Sequence, residues 1–225
     1  MTGFPPNNGV FRLLLASGNR NKHAEFADFF RGESMSPLGI ELISIESLPG
    51  AVGCPNVDET GQSYEENALL KAQAWADFFR MPAIADDSGL EVHSLGGRPG
   101  IFSARTASGA DENRVRWLLG ELDGITDRRA HFVACIVIAF PEQHLRGRGY
   151  FASQGSCKGH IANQPAGMTG FGYDPVFIPD GYENTFSELG KEIKSTVSHR
   201  ARAMEGVAQM AASVIKYWSL YKRES

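Results

Sequence analysis

Apolar positions along this chain change rhythm several times, and each change marks an element. Residues 10–16 are almost unbroken apolar, which predicts a buried strand, and Phe26, Phe29 and Phe30 then share one side of a helix ending near Arg31. A second short strand is expected over 40–45. The polar stretch 49–61 reads as a loop and carries Asp58 and Glu59. Ser63 followed by Glu66 has the form of a capping box. Behind it Tyr64, Ala68, Ala72, Trp75 and Phe79 recur at spacings of three and four, the stripe of an amphipathic helix.

The pattern turns strand-like again at 81–85 and breaks at Asp86-Asp87-Ser88-Gly89. A strand is therefore expected to end there, with a glycine- and proline-rich loop (GGRPG, 96–100) beyond. Asp111 stands where it would cap a helix whose inward side is Val115, Leu118, Leu119 and Leu122. Residues 132–140 are almost unbroken apolar, which predicts a central strand covered on both faces; a turn at 141–144 and an antiparallel partner over 149–157 follow. Met204, Val207, Ala211, Val214, Trp218 and Tyr221 mark one face of a long C-terminal helix. Strands alternating with helices, without repeats or linkers, predict one α/β domain over 10–225 with a mixed sheet covered by helices. Residues 1–9, polar and turn-rich, are expected to be a flexible extension.

Composition narrows the partners. At 225 residues and 42% hydrophobic the chain has material for one sizeable core. A formal net charge of −4 argues against a broad basic footprint, so neither a nucleic-acid polymer nor a membrane surface is expected as partner. Cys54, Cys135 and Cys157 are widely spaced, odd in number and without a CxxC pair, which favours reduced thiols in an intracellular setting. The first residues lack the features of a secretory signal and no apolar run approaches about 18 residues, so a soluble, cytoplasmic protein is expected. Any anion site on such a chain has to be local.

Two places put cations where a helix disfavours them. A helix start carries about half a positive charge, yet Arg20, Lys22 and His23 fall in the first turn after Ser17-Gly18-Asn19. Glycine lets a ligand approach the free N–H groups, and a phosphate there would make the cations favourable. The alternative is that Ser17 or Asn19 merely caps the helix while Arg20 and Lys22 point into water. Removing Lys22 is expected to leave the fold intact, since the helix start gains by losing a misplaced cation. The second place is GKEIKSTVSHRARA (190–203), where Lys191 and Lys194 precede, and His199, Arg200 and Arg202 open, the last helix, with Ser198 as its cap. A solvated basic surface accounts for one such cluster; two in one domain point to a shared polyanion.

Carboxylates supply the complementary chemistry. Asp86 and Asp87 close the third strand, where open α/β sheets commonly build sites, and two adjacent acids cannot both point into the core, so at least one should be available. Asp58 and Glu59 precede a helix carrying Glu66, Asn67 and Lys71. Oxygen ligands of this kind suit Mg²⁺; Asp87 capping the turn into Ser88-Gly89 is the alternative. His93, His131, His144 and His160 are scattered, without zinc-like spacing. In GFGYDP (170–175) glycines flank Phe171 and Tyr173, freeing the backbone to turn and expose an aromatic face on which a base stacks, its edge read by Asp174 or nearby backbone. A tight aromatic turn filling the core is the alternative there. The chain lacks GxxxxGK[ST], a strand-borne GxGxxG, HExxH and GxSxG. Together these residues point to a Mg²⁺-assisted site for a nucleoside polyphosphate, and they leave open which phosphorus is attacked and whether the site turns over.

The segments SGNRNK (17–22), DETG with YEENALLKA (58–61 and 64–72), ADDSGLEV (85–92), GRPGIFSAR (97–105), FGYDP (171–175) and KSTVSHRARA (194–203) together resemble the inosine-triphosphate pyrophosphatase family. The resemblance runs in the family's order over about 13–217. It implies a long, curved mixed sheet with helices on two lobes and the site in the cleft between them. It further implies hydrolysis of ITP, dITP and XTP to the monophosphate and pyrophosphate, which clears deaminated purines from the nucleotide pool. By the same resemblance Ser17, Gly18, Asn19, Arg20, Asn21 and Lys22 bind the triphosphate, and Glu59 and Asp87 hold Mg²⁺. The resemblance likewise implies that Asp87 accepts the proton of the attacking water and that Ser88 touches substrate. It also implies that Phe171, Gly172, Tyr173, Asp174, Lys194, His199 and Arg200 surround base and sugar and that the protein forms a homodimer. Phe102 stands where many relatives have tyrosine, and the extension over 1–9 is atypical; neither falls on a matched site position.

Overall fold

The structure, a computed structural model, describes residues 10–33, 35–45, 55–107, 109–141 and 149–224. The expected extension over 1–9, Cys54, and most of the turn at 141–144 therefore lie outside the described residues. Among the described residues six strands form one mixed sheet in the order β2-β1-β3-β4-β5-β6. At one end β1 (Phe11–Leu15) lies between β2 (Ile40–Ile43) and β3 (Ala83–Val92), parallel to both. From β3 onward the sheet is antiparallel, through β4 (Arg129–Ala139), β5 (Tyr150–Ile161) and the short β6 (Phe177–Pro179).

Helices cover the sheet on both faces. On one face α1 (Arg20–Arg31) and α5 (His199–Glu224) pack over β1, β3 and β4 through Phe26, Phe30, Met204, Val207, Ala211 and Val214. Trp218 packs against the same cluster, and the side chain of Tyr221 lies outside the described residues. Phe26 is fully buried, and such a ring contributes about 1.5–3 kcal/mol by its burial. On the other face α2 (Tyr64–Phe79) docks through Tyr64, Ala68, Ala72 and Trp75, as its stripe predicts. A third cluster at the far end joins α3 (Asp111–Glu121) and α4 (Phe186–Val197) to β4, β5 and β6. The sheet thus carries two lobes, and α1 and α4 face each other across a cleft between them. Among the described residues no helix is long and apolar enough to cross a membrane. Cys135 and Cys157 are buried free thiols.

The largest departure from expectation is β3. It does not end at Ala85 but runs straight through Asp86-Asp87-Ser88-Gly89 to Val92. The cause is non-local: β4 pairs it residue for residue, with Asp86 opposite Ile136, Asp87 opposite Cys135 and Gly89 opposite Val133. Gly89 is required for contact rather than for a turn. A Cβ there would lie 2.2 Å from the Gly100 carbonyl oxygen, so the turn at Gly100–Phe102 packs directly on the strand.

Smaller differences have local causes. β2 stops at Ile43. The N-cap of α3 is Ala110, because the Asp111 carboxylate is engaged elsewhere, by Arg114 and by the Gly172 N–H. Ser63 caps α2 through the Glu66 N–H, but Glu66 returns its bond to Gln62, leaving the capping box half made. Helix α4 is absent from the sequence reading because Gly190, at φ 75°, breaks its periodicity. Lys191 and Lys194 consequently sit inside that helix. Lys194 occupies its last turn, where a cation is favourable. Ser198 does cap the final helix, accepting from the Ala201 N–H at 3.2 Å.

Candidate active site

Because successive side chains on a strand alternate, Asp86 and Asp87 face opposite sides of the sheet. The expectation that adjacent acids cannot both be buried is overturned on this ground: they are 2% and 6% exposed, each under its own helix layer. Asp87 looks toward α2, which presents Asn67 and Lys71 one turn apart. The Lys71 ammonium lies 2.7 Å from Glu59 Oε1 and 3.2 Å from Asp87 Oδ1, drawing both carboxylates toward one point. Asn67 donates to Asp87 Oδ2 at 3.2 Å. The Glu59 loop is further held by Arg105, which donates to the Glu59 carbonyl at 3.0 Å. Asp58 is exposed, and Glu66 is spent on the helix start.

The two carboxyls are tuned apart. Burial raises the pKa of Asp87; Lys71 opposes this and the neighbouring Glu59 charge adds to it, so the net displacement is upward. Burial acts in the same sense on Glu59, but Lys71 and Arg105 outweigh it and hold Glu59 below its ordinary value. Among the described residues no cluster of three or more acidic, histidine or cysteine side chains could hold a metal by itself. Two hard carboxylates converging on one cation are the donor set for Mg²⁺, which keeps waters and shares phosphate oxygens, and not for a closed protein cage. The residues present fit that ion.

On the opposite face Asp86 is a buried hub. Lys22 Nζ and Arg200 Nε both reach Asp86 Oδ2, each at 3.1 Å. Arg200 continues to Ser88 Oγ at 3.0 Å and to Glu25, and Lys194 bridges Glu25 at 3.1 Å and Asp174 at 2.6 Å. Burial would raise the Asp86 pKa, but Lys22, Arg200 and Lys71 together hold it well below the carboxylate range. Lys22 fares differently. Burial lowers its pKa, and although Asp86 supports its charge, Arg200 and Lys71 oppose it, leaving a net depression. The pair is therefore unequal: Asp86 sees three cations, whereas Lys22 sees one anion and two like charges. Lys22 thus shares its one carboxylate partner with Arg200.

Lys22 accordingly does not point into water: its side chain, 17% exposed, pairs with the buried Asp86. Asn19 caps α1, its Oδ1 accepting from the Asn21 and Lys22 N–H groups, while Ser17 Oγ accepts from Asn19 N–H. A Cβ on Gly18 would meet nothing within 4 Å, so the loop is open there. Arg20 and Asn21 are exposed beside it. His199 is buried and stacked on Phe132 at 4.6 Å, with no hydrogen-bond partner for Nδ1. Burial, then Arg200 and Lys194, hold its pKa well below the ordinary imidazole value.

The 170–175 turn divides its aromatics. Phe171 is half-buried, with the Lys194 ammonium 4.2 Å and the Arg200 guanidinium 5.8 Å from its ring centre. Tyr173 is a core residue, its hydroxyl donating to the Ser103 carbonyl at 3.2 Å, so Phe171 alone offers an aromatic face. Asp174 Oδ2 is occupied by the Phe171 N–H at 2.9 Å and by Lys194. Gly172 donates its N–H to Asp111. Beside this turn a cleft of about 430 Å³ is lined by Asn21, Glu25, Phe171, Lys191, Lys194 and Arg200. That volume is within the range of small-ligand pockets. The structure thus gathers the sequence candidates around one strand, with Glu59, Asp87 and Lys71 on one face and Lys22, Asp86, Ser88 and Arg200 on the other. Sequence reading missed Glu25 and left Asn67 without a role. Glu25 was findable in principle, being three residues after Lys22 on the same side of α1.

A long strand bearing back-to-back carboxylates, cations from three helices gathered on them and an aromatic cleft between two lobes define a single-domain α/β protein built around a charged small-molecule site. Comparison with known proteins places it more narrowly. The model of the Ham1 family matches residues 13–210, and the chain belongs to that family. A relative from Geobacillus kaustophilus, named dITP/XTP pyrophosphatase, is 43% identical over 197 residues, covering 85% of this chain and 90% of the relative. One of the same name from Deinococcus deserti is 40% identical over 194 residues, 86% of each chain. The structure of a HAM1 protein from Coxiella burnetii superposes with a TM-score of 0.78 at 32% identity, covering 91% of this chain and all of that one. The Staphylococcus aureus Ham1 protein gives 0.75 at 37% identity, with 90% and 98% covered.

Proposed function

We propose that this protein is a nucleoside-triphosphate pyrophosphatase that hydrolyses ITP, dITP and XTP to the monophosphate and pyrophosphate, removing deaminated purines from the nucleotide pool. The observation that carries the reading is Lys22 at an open helix start, its ammonium 3.1 Å from Asp86, whose strand neighbour Asp87 belongs to a carboxylate pair suited to Mg²⁺. A polyphosphate at that start would give the Lys22 ammonium a second anionic partner beside Asp86. The two relatives quoted, both named for this activity, support the choice of substrate.

In this reading the loop of Ser17, Gly18, Asn19, Arg20, Asn21 and Lys22 takes the phosphates at an open helix start. Glu59 and Asp87 hold Mg²⁺, which when bound neutralises phosphate charge. Asp87, whose pKa burial raises above its ordinary value, takes a proton from the attacking water. The water oxygen bonds to the α-phosphorus as the bridge to the β-phosphate breaks, and pyrophosphate leaves. Ser88 and Arg200, on the opposite face of β3 from Asp87, contact the substrate from that side, while Phe171 offers its ring to the base. Gly172 and the backbone of Tyr173 and Asp174 shape that turn, and Lys194 and His199 close the pocket behind it. A homodimer acting in the cytoplasm belongs to the same proposal; sedimentation at twice 24.5 kDa would check the assembly.

Product analysis tests the reaction. With ITP and Mg²⁺ the expected products are IMP and pyrophosphate. IDP with orthophosphate would instead identify a terminal phosphatase, and no turnover would leave a binding protein.

A further inference from the structure

Asn67 is fully buried on α2, and both ends of its carboxamide are used. Its Oδ1 accepts the Gly61 N–H at 2.8 Å, and its Nδ2 donates to Asp87 Oδ2 at 3.2 Å. Only this orientation of the amide sets an acceptor against the N–H and a donor against the carboxylate. The Gly61 backbone is pressed hard against it: a Cβ on Gly61 would lie 2.7 Å from Asn67 Oδ1 and 2.7 Å from Glu66 Cβ. Gly61 is two residues beyond Glu59, so one side chain joins the loop carrying Glu59 to the strand carrying Asp87. Lys71 draws the same two carboxylates together from the next turn of the helix, but as a point charge it fixes neither the loop backbone nor the plane of Asp87.

We infer that Asn67 is a positioning residue for the reaction: it orients the Asp87 carboxylate and anchors the Glu59 loop, and so sets how the two carboxylates stand relative to each other. The inference rests on the pyrophosphatase reading for its effect on rate, and on geometry alone for its effect on the loop. A residue that merely fills the core would do neither, because both of its polar contacts leave α2 for the site.

The two bonds can be separated by substitution. Asn67→Asp is isosteric, keeps an acceptor for Gly61 and loses the donor to Asp87. Asn67→Ser is too short for either. Hydrogen exchange of the purified protein without nucleotide or metal is followed over 57–62, with α2 and β3 as internal references, beside steady-state kinetics with ITP and Mg²⁺. Asn67→Ser should speed exchange over 57–62 at least tenfold with α2 and β3 unchanged. It should lower kcat about tenfold to a hundredfold, with KM within threefold, as loss of an orienting partner does. Asn67→Asp should keep the loop protected and still lose at least tenfold in kcat. Should Asn67→Ser fail to fold, Asn67→Asp carries the kinetic arm, and Gly61→Ala, which cannot seat on Asn67, carries the loop arm with the same faster exchange expected. Unchanged loop exchange in Asn67→Ser, or in Gly61→Ala if that variant carries the arm, overturns the anchor; kcat within twofold of wild type in Asn67→Asp overturns the orienting role. If the wild-type protein has no turnover, the functional reading falls while the loop result still stands or falls separately.

Discussion

Replacing Lys22 by methionine removes one charge and keeps the stem, so the change isolates the buried pair with Asp86. Asp86 is 2% exposed and receives Lys22 and Arg200 on one oxygen, each at 3.1 Å. Stripping one partner from a buried ion pair costs about 3–5 kcal/mol. Arg200 remains on the same oxygen, and Lys22 itself loses an unfavourable burial of charge, so the net cost should fall to about 2–3 kcal/mol. At roughly 2–4 °C per kcal/mol for a chain of this size, Lys22→Met should melt about 4–12 °C below wild type.

Calorimetry at neutral pH measures this, and Lys22→Met/Asp86→Asn supplies the control. With both charges gone, the loss should be smaller than the sum of the single losses by at least about 1 kcal/mol, because the groups touch. The pH dependence has a definite sign. The folded pKa of Asp86 is depressed, so its contribution is complete above the unfolded value of about 3.9 and disappears as pH falls through the folded one. The gap between wild type and Lys22→Met should therefore persist at pH 5–7 and close only in strong acid. A melting point within 1–2 °C of wild type, or strict additivity in the double variant, would refute the pairing and restore a solvent-facing Lys22.

Three further outcomes follow from the same geometry. Asp87→Asn should fold, bind nucleotide and lose at least about a hundredfold in kcat, while Asp86→Asn should lower thermal stability and raise KM; a reversed pattern in single-turnover and binding assays would exchange their roles. Binding of a non-hydrolysable triphosphate should take up protons at alkaline pH, because an anion beside Lys22 raises its depressed pKa; calorimetry in buffers of different ionisation enthalpy reads this, and proton release would contradict it. ATP should be the poorest purine and GTP should also be rejected, since donors aimed at a 6-oxygen meet a 6-amino group in ATP at about 1–3 kcal/mol per group, and equal kcat/KM for ITP, ATP and GTP would remove the base discrimination.

Elements with a strong internal rhythm were legible in the residues: the stripe of α2, the apolar run of β4 and the inward face of α5 all stand where their periodicity puts them. Those that depend on distant partners were not. Asp86-Asp87-Ser88-Gly89 has the local look of a turn, and it is extended only because β4 pairs with it and cations on α1, α2 and α5 receive its acids. Helix α4 is hidden by Gly190, and β6 is three residues long. The site shows the same division. Residue types carried its chemistry, since lysine, arginine and carboxylate in quantity at helix starts and a strand break are locally anomalous. Which cation meets which acid could not be read, because it depends on the alternation of a strand whose very existence was obscured.

That alternation also explains why two acids stand side by side. Neighbouring Cα positions are about 3.8 Å apart and cannot move independently within a paired strand. Asp86, surrounded by three cations, stays ionised and fixes Lys22 and Arg200 on one face of β3. Asp87, desolvated and next to Glu59, is pushed the other way on the opposite face. Carboxyls displaced in opposite directions by their surroundings are suited to different tasks, one to hold charge and one to exchange a proton. A single peptide unit between them ties the cations proposed to grip the phosphates to the group proposed to accept the proton of the attacking water. Repositioning Asp87 relative to those cations would require β3 to leave its register with β4, which the ten paired positions of the strand oppose.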